Sequence, residues 1–230
     1  MRLNRFICQF NLKDRLIILS DPELVSQIRR VLRLKEGDQI ILCDGKSKEA
    51  IVKIIEIGKN IKVEVQEIKK SQNETDIYGI LYCAILKKEN FEWVCQKATE
   101  VGIKEITPII TQRTVKLNLK YDRLLKILKE AVEQSDRSVL PILNPIVEFE
   151  PAIKQAKSND ANILFEQGGE SFKNLTLEAK RIGIFIGPEG GWDESEIELA
   201  KENNFIIASL GKTTLRAETA AIIASYLIEN

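Results

Sequence analysis

Apolar and polar positions follow a different pattern in each half of the chain. In residues 1–70 the apolar positions form short runs between tight turns. They predict strands at Arg2–Phe10, Arg15–Leu19, Gln39–Cys43, Glu49–Ile57 and Asn60–Ile68. One short helix is predicted from Asp21, as N-cap before Pro22, to about Leu32. Short strands with one helix indicate a small β-barrel.

From Ile77 onward, strands alternate with helices. The predicted strands are Ile77–Leu86, Glu105–Thr111, Asn162–Phe165, Ile182–Ile186 and Phe205–Leu210, and the predicted helices are Lys88–Val101, Tyr121–Ser135, Asp193–Asn203 and Ala217–Ile228. This alternation predicts an α/β domain with a largely parallel sheet. Because the stretch from Lys69 to Asp76 is polar, we expect residues 1–70 and 77–230 to form two domains joined by a linker at 71–76.

Composition removes several classes of chemistry. The chain has 230 residues and no histidine, which excludes histidine-based triads, histidine metal ligands and histidine general bases. Its four cysteines form no Cys-x-x-Cys pair, so we expect reduced, buried thiols and no metal site. No apolar run approaches the roughly 20 residues that span a bilayer, and no secretory signal is visible. We therefore expect a cytoplasmic protein without a membrane partner.

The formal net charge is zero, but the charges are unevenly distributed. Residues 1–35 hold eight Lys or Arg against three acids, and residues 160–230 hold six against twelve. A basic N-terminal region on a neutral protein suggests an anionic partner such as nucleic acid. An ordinary solvated surface explains the same charges, and charge alone leaves both interpretations open.

The most distinctive segment is Ile186-Gly-Pro-Glu-Gly-Gly-Trp192, which lies between a predicted buried strand and a predicted helix start. Such a backbone can approach a ligand closely, although a tight turn before a helix also explains it. The glycine spacing matches neither the dinucleotide-binding nor the Walker A motif. Asp193 and Glu196 predict a capping box, which needs no ligand.

A second shaped segment, Leu210-Gly-Lys-Thr-Thr-Leu-Arg-Ala-Glu218, lies between the last predicted strand and the last helix. Arg216 could form a structural ion pair with Glu218 or Glu189. It could also present its guanidinium group to a polar or anionic substrate. Since both segments follow strands of one predicted sheet, we expect them to form one ligand site.

Five ordered segments resemble a known family. They are Arg30-Val-Leu-Arg33 with Leu34–Asp38, Gln96–Gly102 with Pro108 and Arg113, Glu130–Arg137 with Pro141, and the two loop segments above. Together they resemble the ribosomal RNA small-subunit methyltransferase E family of the knotted SPOUT class. One departure is Gln27, which stands where the family often has histidine.

The resemblance implies an α/β fold, with a C-terminal SPOUT trefoil-knot domain and a small N-terminal PUA-like β-barrel that binds RNA. It also implies a homodimer and a pocket for S-adenosylmethionine made of three loops. The implied cofactor-binding residues are Leu164, Phe165, Glu166, Ile186, Gly187, Pro188, Glu189, Gly190, Gly191, Leu210, Gly211, Leu215, Arg216 and Ala217.

The implied reaction is methyl transfer to N3 of a uridine in 16S ribosomal RNA, either free or in the 30S subunit. Arg216 is expected to stabilise negative charge on the uracil carbonyls, and Glu218 or Glu189 to accept the N3 proton or orient Arg216. Because N3 lies on the Watson–Crick edge, the base must be unpaired or flipped. The expected RNA contacts are Arg2, Arg5, Arg30, Arg33, Lys97, Arg113, Gln134 and Arg137. Two alternatives stay open: a non-catalytic RNA-binding protein, and methylation of a ribose 2′-OH.

Overall fold

A computed structural model describes residues 3–11, 14–115 and 118–230, apart from the Lys88 side chain. Its contacts group into two compact units. The first unit contains the described residues up to Glu74 together with Val132–Leu140, and the second contains Thr75–Ala131 and Pro141–Asn230. This division falls inside the predicted linker at 71–76. It also gives residues 132–140 to the first unit, which the sequence pattern did not indicate.

The first unit is built on a five-stranded sheet. Its strands are β1 (Arg5–Ile7), β2 (Leu16–Leu19), β3 (Gln39–Cys43), β4 (Lys48–Ile57) and β5 (Ile61–Lys70), in the order β1-β3-β4-β5-β2. Only the β1–β3 pair is parallel. The inward positions of β3, β4 and β5 form the core with Phe6 and Ile28. Two predictions were wrong in detail: β1 is shorter than expected, and the lysines 69 and 70 end a strand rather than begin a linker.

The helix of the first unit starts as the sequence predicts. The Asp21 carboxylate accepts the Glu23 N–H at 2.9 Å, which caps α1 (Pro22–Ser26). The chain then continues as a π-helical turn, Gln27–Val31, rather than as the predicted α-helix. Arg33 follows in the left-handed region, at φ 53°. The π-helical turn contains the buried core residue Ile28 and the exposed basic residues Arg29 and Arg30.

The second unit contains a parallel sheet with strand order β12-β10-β11-β6-β7-β8, and β9 also pairs with β7. Its strands are β6 (Tyr78–Ala84), β7 (Glu105–Ile110), β8 (Ile142–Leu143), β9 (Val147–Glu148), β10 (Ala161–Ser171), β11 (Arg181–Ile186) and β12 (Ile206–Ser209). Its helices are α2 (Lys88–Val101), α3 (Tyr121–Gln134), whose last residues belong to the first unit, α4 (Phe149–Ala156), α5 (Glu194–Glu202) and α6 (Ala217–Glu229).

Aromatic side chains fill the core of the second unit. Tyr82 stacks on Phe185 with ring centroids 4.2 Å apart, and Phe205 meets Phe185 edge-on at 5.0 Å. Phe149, from α4, packs against both Phe185 and Trp192. Because Trp192 belongs to the glycine-rich segment after β11, the core holds one end of that segment in place.

The described residues were compared with the requirements of a membrane span, a metal site and a disulfide. None of their helices is long and apolar enough to cross a membrane. They contain no cluster of acidic or sulfur ligands suited to a metal ion. The four cysteines are reduced thiols; Cys8 is half-buried, and Cys43, Cys83 and Cys95 are buried.

Candidate functional site

The second unit contains a cavity of about 740 Å³ at the carboxyl ends of β10, β11 and β12. It is lined by Lys87, Asn90, Phe165, Glu166, Gln167, the segment 186–192, Leu210, Gly211, Thr213, Thr214, Leu215, Arg216, Ala217, Glu218 and Ala220. Every predicted cofactor position except Leu164 is among them. Leu164 is buried in the aromatic core, between its β10 neighbours, so its side chain does not reach the cavity.

The first loop owes its shape to a turn and to Trp192. The Gly191 N–H donates to the Pro188 carbonyl at 2.9 Å, and Gly191 has φ 72°, a conformation that suits glycine. The buried Trp192 indole N–H donates to the Phe165 carbonyl at 3.0 Å. A Cβ at Gly187 would lie 3.0 Å from the indole ring, so the packing of Trp192 also requires glycine there.

The loop after β7 supports the same segment from the other side. The Arg113 guanidinium donates to the Gly190 carbonyl at 3.1 Å and forms an ion pair with Asp193 at 3.3 Å. The Gln112 N–H donates to the Glu196 carboxylate at 2.9 Å. Asp193 and Glu196 form the predicted capping box of α5. Hydrogen bonds from Ser195, with a smaller contribution from Arg113, hold the pKa of Asp193 below its ordinary value.

The second loop runs from Leu210 to Arg216 and forms the opposite part of the cavity wall. Gly211 has φ 147°. The Thr214 hydroxyl donates to the Gln167 side-chain carbonyl at 2.9 Å, which joins this loop to β10. At Gln167 the strand leaves its regular pairing with β12, because the register shifts between Phe165 and Glu170. The bulge turns Glu166 and Gln167 toward the cavity.

Sequence reasoning missed three lining residues: Lys87, Asn90 and Ala220. Gln167, Trp192, Thr213 and Thr214 lie within the predicted loop segments but were not named as cofactor contacts. Lys87 and Asn90 follow the carboxyl end of β6, and parallel strands place their carboxyl ends at one edge of a sheet. That rule is a signal that could have found them. Nothing in the sequence marks the bulge at Gln167.

The electrostatics of the cavity centre on its carboxylates. Glu218, in the first turn of α6, is 4% exposed, and its Oε2 atom has no hydrogen-bond partner among the described residues. Arg216 is the exposed N-cap of the same helix. Glu189 is exposed and accepts the Lys87 N–H at 3.5 Å. Burial raises the pKa of the nearby Cys83 thiol well above its ordinary value, and the charges of Glu189 and Glu218 add to that rise.

The charged lining residues that the structure describes are three carboxylates (Glu166, Glu189 and Glu218) and two cations (Lys87 and Arg216). A wall with one excess negative charge favours a cationic ligand over a phosphate. Apolar side chains of Ile186, Leu210 and Leu215 complete it. The cavity therefore combines close backbone approach, apolar surface and net negative charge.

Two of the predicted RNA contacts have a different role. The Arg5 side chain is 9% exposed; its Nη1 atom lies 2.7 Å from Glu49, and its Nε atom lies 2.9 Å from Asp136. Arg137 is 3% exposed and pairs with Glu74 at 2.9 Å. These guanidinium groups bind carboxylates inside the first unit, so the expectation that they contact phosphates is corrected.

The other predicted RNA contacts stay predictions. Arg30, Arg33 and Gln134 are exposed in the first unit. Lys97 is half-buried and pairs with Glu100 at 2.9 Å, whereas Arg113 is exposed beside the glycine-rich loop. Arg2 lies outside the described residues.

Comparisons with known proteins find two family models along the chain. The family model for an RNA methyltransferase domain matches residues 73–229, and the model for an RNA methyltransferase PUA domain matches residues 28–68. A ribosomal RNA small subunit methyltransferase E from Rickettsia conorii is 33% identical, over 97% of this chain and 94% of its own length. The chain belongs to the ribosomal RNA small subunit methyltransferase E family.

Solved members and relatives share its fold. A ribosomal RNA small subunit methyltransferase E from Neisseria gonorrhoeae, bound to S-adenosyl methionine, superposes with a TM-score of 0.92 at 28% identity, over 98% of this chain and 96% of its own. A putative methyltransferase from Legionella pneumophila, in complex with the same cofactor, gives 0.90 at 29%, over 99% and 97%. The predicted α/β fold, a SPOUT domain with a PUA-like domain, is confirmed. Membership of the methyltransferase E family also confirms the predicted enzyme class.

Proposed function

We propose that the cavity binds S-adenosylmethionine and that the protein transfers a methyl group to N3 of a uridine in 16S ribosomal RNA. The observation that carries this proposal is the buried, unpartnered carboxylate oxygen of Glu218, in a cavity that Arg216 also lines. The cofactor assignment has further support from the two solved relatives, which were both determined with that cofactor.

The residues present fit this cofactor. S-adenosylmethionine carries a sulfonium and an ammonium group against one carboxylate, so the net negative lining complements it. It has no phosphate, and the glycine segments lack phosphate-binding spacing. The loop backbones at Gly187–Gly191 and Leu210–Ala217, with Ile186 and Leu215, would hold its adenine and ribose. Phe165 and Glu166 complete that wall.

Arg216 would stabilise the charge that develops on the RNA base. The cofactor supplies an activated methyl group on its sulfonium sulfur. When N3 of uracil loses its proton, negative charge spreads to O2 and O4. The guanidinium group of Arg216, the N-cap residue of α6, can donate hydrogen bonds to such an oxygen.

Glu218 would accept the N3 proton, directly or through water. Of the two predicted carboxylates, it is the buried one with an unpartnered oxygen, whereas Glu189 is exposed and accepts a backbone N–H. A carboxylate that lines the cavity beside the reacting base can act as a general base. Glu189 would then position the loop and Lys87.

The partners of this reaction follow from the same proposal. Arg30, Arg33, Lys97 and Arg113 would contact phosphates of the RNA or of the 30S subunit, in the cytoplasm where that subunit is made.

Trp93, Tyr226 and Leu227 are exposed apolar residues on α2 and α6, two helices that pack together. Exposed apolar side chains of this size support a homodimer. Light scattering tests it, and a monomer mass at micromolar concentration would contradict it.

The reaction is tested by mapping the product. Small-subunit RNA lacking the modification is incubated with the protein and labelled S-adenosylmethionine, digested to nucleosides and analysed by mass spectrometry. We expect N3-methyluridine. Ribose-methylated nucleosides would support the other enzymatic alternative, and binding of RNA without any product would support the non-catalytic one.

The Arg216→Ala variant tests the mechanism. We expect turnover to fall by about 100-fold or more, the size typical of a lost oxyanion-type donor, with a smaller change in cofactor affinity. Lys212→Ala is the matched control, because Lys212 is an exposed cation of the same loop that does not line the cavity. Equal turnover in the two variants would remove Arg216 from the mechanism.

A further inference from the structure

The first unit contains a second, smaller cavity, of about 280 Å³. It is lined by Leu3, Asn4, Arg5, Phe6, Gln27, Leu32, Glu133 and Gln134, and we call it the amide pocket. All of these residues belong to the first unit, whereas the residues that line the larger cavity belong to the second. Its chemistry is therefore separate from that of the methyl-donor cavity.

Three residues with primary amide side chains, Asn4, Gln27 and Gln134, line this pocket. An amide offers an N–H donor and a carbonyl acceptor side by side. This pair matches the donor and acceptor pattern on the edge of a nucleobase, which asparagine and glutamine recognise with two hydrogen bonds. The apolar side chains of Leu3 and Leu32 provide surface for a ring face. The lining thus suits a planar polar ring better than an ion.

The charged groups of the amide pocket are fixed within the first unit. Arg5 is held by Glu49 and Asp136, and one Glu133 carboxylate oxygen accepts the Ile7 N–H at 2.8 Å. These contacts orient the wall without requiring a ligand. A preformed wall with adaptable amides is the arrangement that favours specific recognition of a small group.

The backbone beside the pocket departs from regular geometry. Gln27 begins the π-helical turn, and Arg33 has φ 53°. Such features are costly and cluster at functional sites. They present exposed side chains: Arg30, Arg33 and Val31, which is 71% exposed. A basic, partly apolar turn next to the amide pocket fits an RNA strand whose phosphates lie along the turn and whose base enters the pocket.

We propose that the amide pocket binds one unpaired nucleobase of the RNA, while Arg30 and Arg33 contact the adjoining phosphates. Single-stranded RNA is recognised in this way, with splayed bases read on their edges. The inference rests on the proposed RNA substrate and adds a second base-recognition site, distinct from the one where methyl transfer occurs.

Binding of a short fluorescein-labelled oligouridylate, measured by anisotropy over a range of salt concentrations, tests the proposal. We expect Gln27→Ala and Gln134→Ala each to weaken binding about tenfold, the size of one lost amide–base contact, with an unchanged salt slope. Arg30→Ala should instead reduce the salt slope by about one. Gln39→Ala is the matched control, because Gln39 is an exposed glutamine of the same unit outside the pocket.

Inorganic polyphosphate, which has phosphates but no bases, separates the two contacts. Its binding should weaken in Arg30→Ala and stay unchanged in the two glutamine variants. Unchanged oligouridylate binding in both glutamine variants, or an equal loss in Gln39→Ala, overturns the amide pocket. If the wild-type protein binds RNA through these glutamines but forms no N3-methyluridine, the proposed reaction fails and the pocket stands.

Discussion

Glu218 and Arg216 lie two residues apart and have opposite environments. The carboxylate of Glu218 is buried and one of its oxygens lacks a partner, whereas Arg216 is exposed at the cavity. A buried carboxylate oxygen without a hydrogen bond destabilises a fold by roughly 1–3 kcal/mol or more. Packing among the described residues therefore gives no reason for Glu218, which fits the proposed role in ligand binding or proton transfer.

The Glu218→Gln variant separates these functions from a structural one, because glutamine has the same shape without the charge. We expect turnover to fall by about 100-fold and cofactor affinity to fall as well, since one of the three lining carboxylates is lost. Stability should stay the same or rise, which thermal unfolding measures. Glu198→Gln, an exposed position on α5, is the control. A large loss of stability in Glu218→Gln alone would indicate a structural role.

At the scale of elements, the glycine-rich loop is held from two sides. Trp192 anchors it to β10, and the loop after β7 anchors it through Arg113 and Gln112. A loop fixed in this way can present its backbone to a ligand without losing conformational entropy on binding. The binding free energy is then not reduced by the cost of ordering the loop. The glycines provide the close approach, and the anchors provide the rigidity.

Trp192→Phe tests the indole anchor, because phenylalanine retains a ring but cannot donate to the Phe165 carbonyl. We expect S-adenosylmethionine affinity to fall about fivefold, from a loss of about 1 kcal/mol for one hydrogen bond. The chain has two tryptophans, so Trp93→Phe leaves Trp192 as the single indole and is the control. In Trp93→Phe, titration with S-adenosylmethionine should change the fluorescence of Trp192, and the cofactor affinity should equal that of the wild-type protein. Equal affinity in the two variants would show that the indole N–H does not support the loop.

The sequence allowed some elements to be predicted and concealed others for physical reasons. The Asp21 cap, the capping box of α5 and the Gly102 end of α2 depend on local hydrogen bonds, so local patterns found them. Helix α4 was missed because it has only eight residues and contains Pro151. Strand β10 is longer than predicted because its bulge interrupts the apolar pattern.

The same contrast applies to the candidate site. Glycines marked both loops in the sequence, and the structure places them around one cavity. Arg5 and Arg137 were predicted to contact RNA because their partners, Glu49, Asp136 and Glu74, are distant along the chain. Lys87 and Asn90 were missed because only the sheet topology brings them to the cavity. Long-range pairing, which one sequence does not reveal, accounts for both kinds of error.

At the scale of the whole molecule, buried ion pairs join distant segments of the first unit. Arg5 on β1 connects Glu49 on β4 with Asp136, and Arg137 pairs with Glu74. The Ser138 hydroxyl also hydrogen-bonds to Glu49. Residues 132–140 are thereby attached to the first unit, although the chain around them belongs to the second. Removing one partner from such a buried pair is strongly destabilising, because the other charge stays buried.

This arrangement makes stability depend on pH through Glu49. Burial acts to raise the pKa of Glu49, but hydrogen bonds from Arg5 and Ser138 outweigh it, so the folded-state pKa is lowered. A carboxylate with a lowered pKa stabilises the fold fully above its unfolded-state pKa of about 4.3, and it loses that contribution as pH falls through the folded-state value. Acid should therefore weaken the first unit below about pH 4.3.

Glu49→Gln should lower the free energy of unfolding by about 2 kcal/mol at neutral pH, since it removes a charge-assisted hydrogen bond of Arg5, whose guanidinium keeps Asp136 as its other carboxylate partner. The deficit should shrink as the pH falls below the unfolded-state pKa of about 4.3 and through the lower folded-state value, where wild-type Glu49 also becomes neutral. Urea unfolding across this pH range measures both effects. Glu64→Gln is the control, because Glu64 pairs with Arg15 at 3.0 Å on the surface, where such pairs contribute less than about 1 kcal/mol. A Glu49→Gln deficit that is small, or that does not change with pH, would mean that this ion pair does not hold residues 132–140 in the first unit.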